Sequence, residues 1–192
     1  MIDMDTPQSS GAPQREAGVS SAHRIPRDFN AIPWSTWVPR ERATLLFVRR
    51  DGAILLIRKK RGLGAGKING PGGRIDPGET AEACAIREVQ EELCVTPTGV
   101  QPAGELLFQF IDGYSLHGYV FTASGCEGIP EETDEAAPLW TSEKAIPYQE
   151  MWADDRIWLP FMLQGQTFVG RFLFDGDSML GYDVEVKSPT PT

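Results

Sequence analysis

The sequence is poor in cysteine and histidine, and it has no long apolar run. Cys84, Cys94 and Cys126 are the three cysteines in 192 residues, and none forms a C-x-x-C pair. An odd, scattered set argues against a disulfide scaffold and a structural zinc site, and it points to a reducing, cytoplasmic setting. No stretch of 18 apolar residues occurs, which argues against a spanning helix. The first residues lack the basic-then-apolar pattern of a secretory signal. The two histidines, His23 and His117, have no Cys or His neighbour at ligand spacing. There is no internal repeat.

About 41% apolar residues in a chain of this length predict one domain with its own core. The net charge of −9 is unevenly placed. Residues 43–74 carry eight basic side chains against Asp51 alone, whereas residues 75–192 carry five against 21 acids. So acidic a chain is a poor binder of nucleic-acid polymers. A basic segment followed by an acidic one suits a small anionic ligand held with divalent cations.

Residues 1–40 hold five prolines and no apolar periodicity, and they read as a flexible extension with Trp34 and Trp37 folding back at its end. The domain is expected over 41–187 and a loose tail over 188–192. Ala43–Arg49 and Ala53–Arg58 predict strands around an Arg50-Asp51-Gly52 turn. Residues 61–78, with seven glycines and two prolines, form a loop long enough to be functional. Thr80 caps a helix running to about Leu93. Strands follow near 104–111, 116–123 and 135–140, then a helix over about 154–163 with Asp154 as a good N-cap. Strands at 167–174 and 178–186 meet at Asp175-Gly176-Asp177. Many strands with two helices give an α+β fold with a mixed β-sheet.

The first helix concentrates the chemistry. At 100° per residue Ile86, Val89 and Leu93 lie within about 60° and predict its buried stripe. Glu88 and Glu92 are one turn apart on another face, with Glu91 beside them. Like charges at that spacing destabilise a helix by a few tenths of a kcal/mol per pair, so a sequence that keeps three of them points to their joint use. Carboxylate oxygens are the preferred ligands of Mg²⁺ or Mn²⁺. The glycines upstream let backbone amides and carbonyls approach a phosphate or a metal.

The spacing Gly73, Glu79, Arg87-Glu88-Val89, Glu91-Glu92, Val95 resembles the Nudix box at eight of its nine specified positions. Cys94 stands where the box has a helix-ending glycine, so a shaped or strained turn is expected there. The resemblance implies a Nudix α/β/α sandwich and metal-dependent hydrolysis of a nucleoside diphosphate derivative. Glu88, Glu91 and Glu92 would hold two or three Mg²⁺ ions (Mn²⁺ a possible substitute), helped by the Gly72 carbonyl. Glu79 and Arg87 would brace loop against helix. The general base would be Glu92, or a glutamate outside the box such as Glu135, which matches a further metal-contacting position.

Lys59 to Gly70 and Met151 to Asp155, followed by Trp158, Pro160 and Gln164, resemble the animal oxidised purine nucleoside triphosphatases within that superfamily. The likeness implies that 8-oxo-dGTP and 2-hydroxy-dATP are cleaved to the monophosphate and pyrophosphate. Position by position, Asn69, Asp154 and Asp155 would meet the purine edges and Trp152 its face. Phe108 and Phe110 would line the pocket, and Thr44, Lys59, Pro71, Gly72, Gly73 and Arg74 would contact the rest of the substrate. Leu63, Ile68, Pro71, Leu116 and Ala136 replace aromatics or methionines of those enzymes, which leaves open a broader Nudix range: normal nucleotides, N6-methyl-dATP or dinucleoside polyphosphates. A non-catalytic nucleotide-binding regulator is disfavoured because every metal carboxylate is retained. The expected partner is a nucleoside triphosphate alone, with neither membrane nor nucleic-acid polymer, and the expected state is a monomer.

Overall fold

Unbroken apolar runs at Leu45–Val48 and Ile54–Ile57 mark strands buried on both faces. The computed structural model, which describes residues 25–187, places them at the centre of a sheet. In chain order the strands are β1 Glu41–Arg50, β2 Ala53–Lys59, β3 Ile68–Asn69, β4 Thr96–Thr98, β5 Gln101–Phe110, β6 Ser115–Ala123, β7 Gly125–Glu127, β8 Ala136–Ser142, β9 Thr167–Asp175 and β10 Ser178–Lys187. The helices are α1 Ala81–Leu93 and α2 Asp155–Leu163.

The main sheet runs β10-β9-β5-β6-β1-β2-β3, with β8 also on β2, and β4 with β7 forms a separate ribbon. It is mixed: β1 with β6 and β5 with β9 are parallel, the other pairs antiparallel. β1 and β2 pair only at Arg49↔Ile54 and Arg50↔Ala53, beside the turn, and then splay to separate neighbours. Asp51 and Gly52 both take positive φ, 55° and 73°, as a tight hairpin turn requires.

Period-2 alternation divides the core. Leu46, Val48, Leu55 and Ile57 pack with Ala85, Val89 and Leu93 of α1, while Phe47, Ile54 and Leu56 pack with Trp158, Leu159 and Met162 of α2. Each fully buried large side chain contributes about 1.5–3 kcal/mol by leaving water. The buried arc of α1 is Cys84, Ala85, Val89, Glu92 and Leu93. Ile86, expected in that stripe, is only half-buried; the arc turns toward Glu92, which the core admits. Thr80 caps α1 by accepting from the Ala83 amide at 3.2 Å. Cys94 ends it in the left-handed region at φ 58°, the conformation for which the box uses glycine.

Residues 25–40 lie against the sheet, the end of the segment at which Trp34 and Trp37 are expected to fold back. Two 3₁₀ turns, Phe29–Ala31 and Trp34–Thr36, bury Ile32 and bring the Trp37 indole N–H to the Gln109 side-chain oxygen at 2.9 Å. Residues 1–24 and the tail 188–192 lie outside the described residues. Among the described residues no helix is long and apolar enough to cross a membrane.

Candidate active site

The long glycine loop is zipped onto β1 as if it were another strand. Leu46 N–H donates to the Pro71 carbonyl and Thr44 N–H to that of Gly73, both at 2.9 Å, and Ile75 N–H donates to Arg42 at 3.0 Å. This pairing allows no side chain at Gly72, where a Cβ would lie 1.9 Å from the Thr44 carbonyl oxygen. At Gly73 a Cβ would sit 2.3 Å from the Glu88 carboxylate. The glycines thus bring backbone against the acidic face of α1 and leave a cleft of about 530 Å³ between loop, sheet and the start of α2.

Glu88, Glu92 and Glu135 line one part of this cleft with Thr44, Lys59, Gly72, Gly73 and Arg74. Glu92 is 1% exposed; one oxygen receives the Gly72 N–H at 2.9 Å and the other faces Lys59 Nζ at 3.3 Å. Burial raises the proton affinity of Glu92, and Lys59 and the Gly72 amide oppose it. Burial likewise raises that of Glu88, against the Arg87 guanidinium 2.8 Å away. Arg87 also clasps Glu79 through Nε and Nη2 at 2.9 and 3.1 Å. That clasp, with the Asp76 amide, holds the Glu79 carboxyl down at about 2. Loop and helix are therefore locked by one guanidinium.

Phe108, Phe110, Asn69, Trp152, Asp154 and Asp155 line the rest of the cleft. Asp154 and Asp155 are both 2% exposed, and burial raises both carboxyls, Asp155 further through the charge of Asp154. Asp154 does not cap α2, contrary to that reading of the sequence: its Oδ2 takes the Trp158 indole N–H at 2.9 Å. Its Oδ1 is buried without a hydrogen-bond partner, a cost native proteins avoid unless a ligand or water meets it. Asp155 accepts the Trp152 amide at 3.0 Å, which ties the acidic pair to the indole beside it.

Two expected residues are not brought in. Pro71 is buried in the β1 pairing, and Glu91 points outward, 56% exposed, onto Arg87 at 3.0 Å. Several lining residues were not among the expected site residues. Leu106 and Phe174 reach the cleft from β5 and β9, whose long-range parallel pairing sets Leu106 beside Gly170 and Phe174 beside Phe110, Tyr114 comes from the β5–β6 turn, and Arg61 pairs with Glu135. Cys84 lies behind the loop, its thiol against Thr44 Oγ1 at 3.4 Å and the Arg74 carbonyl at 3.3 Å, and burial pushes it up to about 11.

Among the described residues no three His, Cys, Asp or Glu side chains converge as a ready ion cage. The donor set nevertheless suits a hard divalent cation. It comprises the carboxylates of Glu88, Glu92 and Glu135, and the Gly72 carbonyl, which accepts nothing from the described backbone amides.

A loop-and-helix unit of this spacing, set on a mixed sheet between two helices, is the signature of the Nudix hydrolases, which use a divalent metal. The NUDIX domain family matches residues 38–162, and the chain belongs to it. The chain is similar to the oxidized purine nucleoside triphosphate hydrolase of Danio rerio, 44% identical over 138 residues, 71% of this chain and 88% of that protein. It is 38% identical to the protein of the same name from Mus musculus over 148 residues, 76% of this chain and 95% of the relative. The MutT protein of Bacillus halodurans shares the fold, with a TM-score of 0.67 at 23% identity over 76% of this chain and 97% of that one.

Proposed function

We propose that the chain hydrolyses oxidised purine nucleoside triphosphates, 8-oxo-dGTP and 2-hydroxy-dATP, to the monophosphate and pyrophosphate. The observation that carries this reading is the joining, in one cleft, of a purine-sized end and a hard-oxygen end. Trp152 offers the base a flat apolar face, worth about 1–3 kcal/mol by stacking. Asn69 offers a donor and an acceptor to one edge of the base. Asp154 and Asp155 repel when both ionise, so one holds its proton and the pair can both donate and accept. The unpartnered Asp154 Oδ1 is the atom that a base edge would satisfy.

At the other end Glu88, Glu92, Glu135 and the Gly72 carbonyl would hold Mg²⁺. When bound, Mg²⁺ neutralises phosphate charge and lowers the pKa of water. Lys59 and Arg74 add positive charge for the phosphate tail, and Glu92 or Glu135 accepts the proton of the attacking water. Glu79 and Arg87 keep the loop registered against α1. The three free cysteines accord with a reducing, cytoplasmic setting, and the proposed state is a monomer acting on free nucleotides.

The test is kcat/KM for 8-oxo-dGTP against dGTP, with release of pyrophosphate as the readout. The oxidised nucleotide is expected to be preferred; a ratio near one would favour the broader range. That second reading draws on Leu63, half-exposed on the cleft rim between Gly62 and Gly64, where it adds little wall. Asp154→Asn and Asp155→Asn are expected to shift the ratio of 8-oxo-dGTP to 2-hydroxy-dATP turnover, and an unchanged ratio in both would reject the proton-sharing pair.

A further inference from the structure

The segment before β1 does more than cover apolar surface. Alternation along β5 puts Phe108 and Phe110 on the cleft side and Gln109 on the opposite side, where residues 25–40 cross the sheet. Gln109 is 5% exposed, and its amide is fully engaged. The side-chain oxygen takes the Trp37 indole N–H at 2.9 Å, and the NH₂ donates to the carbonyls of Phe110 at 2.9 Å and Tyr114 at 3.1 Å. One amide therefore clasps both ends of the β5–β6 turn. Three residues after Trp37, the Arg40 amide donates to the buried Ser115 hydroxyl at 3.0 Å, just beyond that turn. Tyr114, so placed, donates its hydroxyl to Glu41 Oε2 at 2.8 Å. The same oxygen lies 2.7 Å from Arg74 Nε. Tyr114 and Arg74 both line the cleft.

A guanidinium held through Nε keeps its terminal nitrogens available as a planar fork, the geometry that matches a phosphate oxygen pair. We propose that residues 25–40 are a positioning strap: Trp37, through Gln109 and the β5–β6 turn, holds Tyr114 on Glu41 and so aims Arg74 at the phosphate tail of the nucleotide. The proposal rests on the reading of the cleft as a nucleoside triphosphate site. Trp37 and Tyr114 are positioning residues in this scheme, and Arg74 touches the substrate.

A double-mutant cycle separates this role from simple support of the fold. Trp37→Phe keeps an aromatic ring against Trp34 but removes the N–H, Tyr114→Phe removes only the hydroxyl, and each is made alone and with Arg74→Gln. The readouts are the Kd of inorganic triphosphate in the presence of Mg²⁺, KM and kcat for 8-oxo-dGTP, and Tm. Each single variant is expected to raise Kd and KM about three- to tenfold, the effect of a lost hydrogen bond, with kcat within about twofold. In the Arg74→Gln background neither is expected to change Kd by more than about 1.5-fold. Equal effects with and without Arg74 would overturn the proposal, as would a lowered Tm with unchanged Kd or a wild-type chain that does not bind triphosphate. A wild-type chain that binds triphosphate but turns over no nucleotide would reject the proposed activity, while the titrations would still decide the strap.

Discussion

Asp154 shows how little a residue type fixes by itself. In the sequence it could cap a helix or meet a base edge, because both uses need the same short carboxylate. The fold decides against the cap by turning Oδ2 to the Trp158 indole and burying Oδ1 unpaired. Burial pushes the Asp154 carboxyl up to about 6, and linkage gives the consequence a sign. A carboxyl that holds its proton more tightly when folded costs stability as pH rises from about 4 through 6, and the cost is complete above that. Asp154→Asn, whose amide oxygen can still accept from Trp158, is expected to lessen that slope, with Asp155 keeping its own raised carboxyl; thermal melts of both chains from pH 4 to 8 check it. Parallel melting curves across that range would contradict it. Glu79 runs the other way. Its depressed carboxyl stabilises the fold above about 4.5 and loses that contribution as pH falls toward 2, so Glu79→Gln should flatten the acid limb of the melts.

Elements with strong local signals were legible, and those made by distant pairing were not. The Thr80 cap, the α1 carboxylates, the Asp51-Gly52 turn and the β9–β10 hairpin follow from short-range chemistry, and their ends fall within a few residues of expectation. The β4–β7 ribbon was missed: three residues a side, with Pro97 inside, carry no periodicity. Ile86 was misassigned because a stripe drawn from apolar residues alone cannot foresee that the core admits Glu92. Cys94 was read correctly as the odd residue of the box, and its φ of 58° identifies the cost. A left-handed non-glycine residue is strained by about 1–2 kcal/mol, partly offset by the greater freedom of an unfolded glycine. Cys94→Gly is therefore expected to stabilise the chain by about 1 kcal/mol in denaturant titration, with activity unchanged; a destabilised variant would show that the turn is not strained.

The whole molecule brings together pieces that the sequence holds far apart. Side chains or backbone from Thr44, the 59–74 segment, Glu88 and Glu92, the 106–118 hairpin, Glu135, the 152–158 segment and Phe174 meet in one cleft, helped by the parallel pairing of β1 with β6 and of β5 with β9. The loop-and-helix unit could be read directly, since its residues act on one another across a few turns of chain. Phe174, Tyr114 and the Trp37–Gln109 clasp could not, since each depends on strand order. The charge imbalance is resolved in the same way: basic Lys59 and Arg61 meet acidic Glu92 and Glu135 across the cleft, and Arg87 meets Glu79, Glu88 and Glu91. The most direct test of the account is pyrophosphate release from 8-oxo-dGTP with Mg²⁺, comparing the wild-type chain with Glu92→Gln. The account predicts ready turnover by the wild type and a loss on the order of 100-fold or more in the variant, with its fold intact by melting temperature. Undiminished turnover in the amide variant, or none in the wild type, would contradict it.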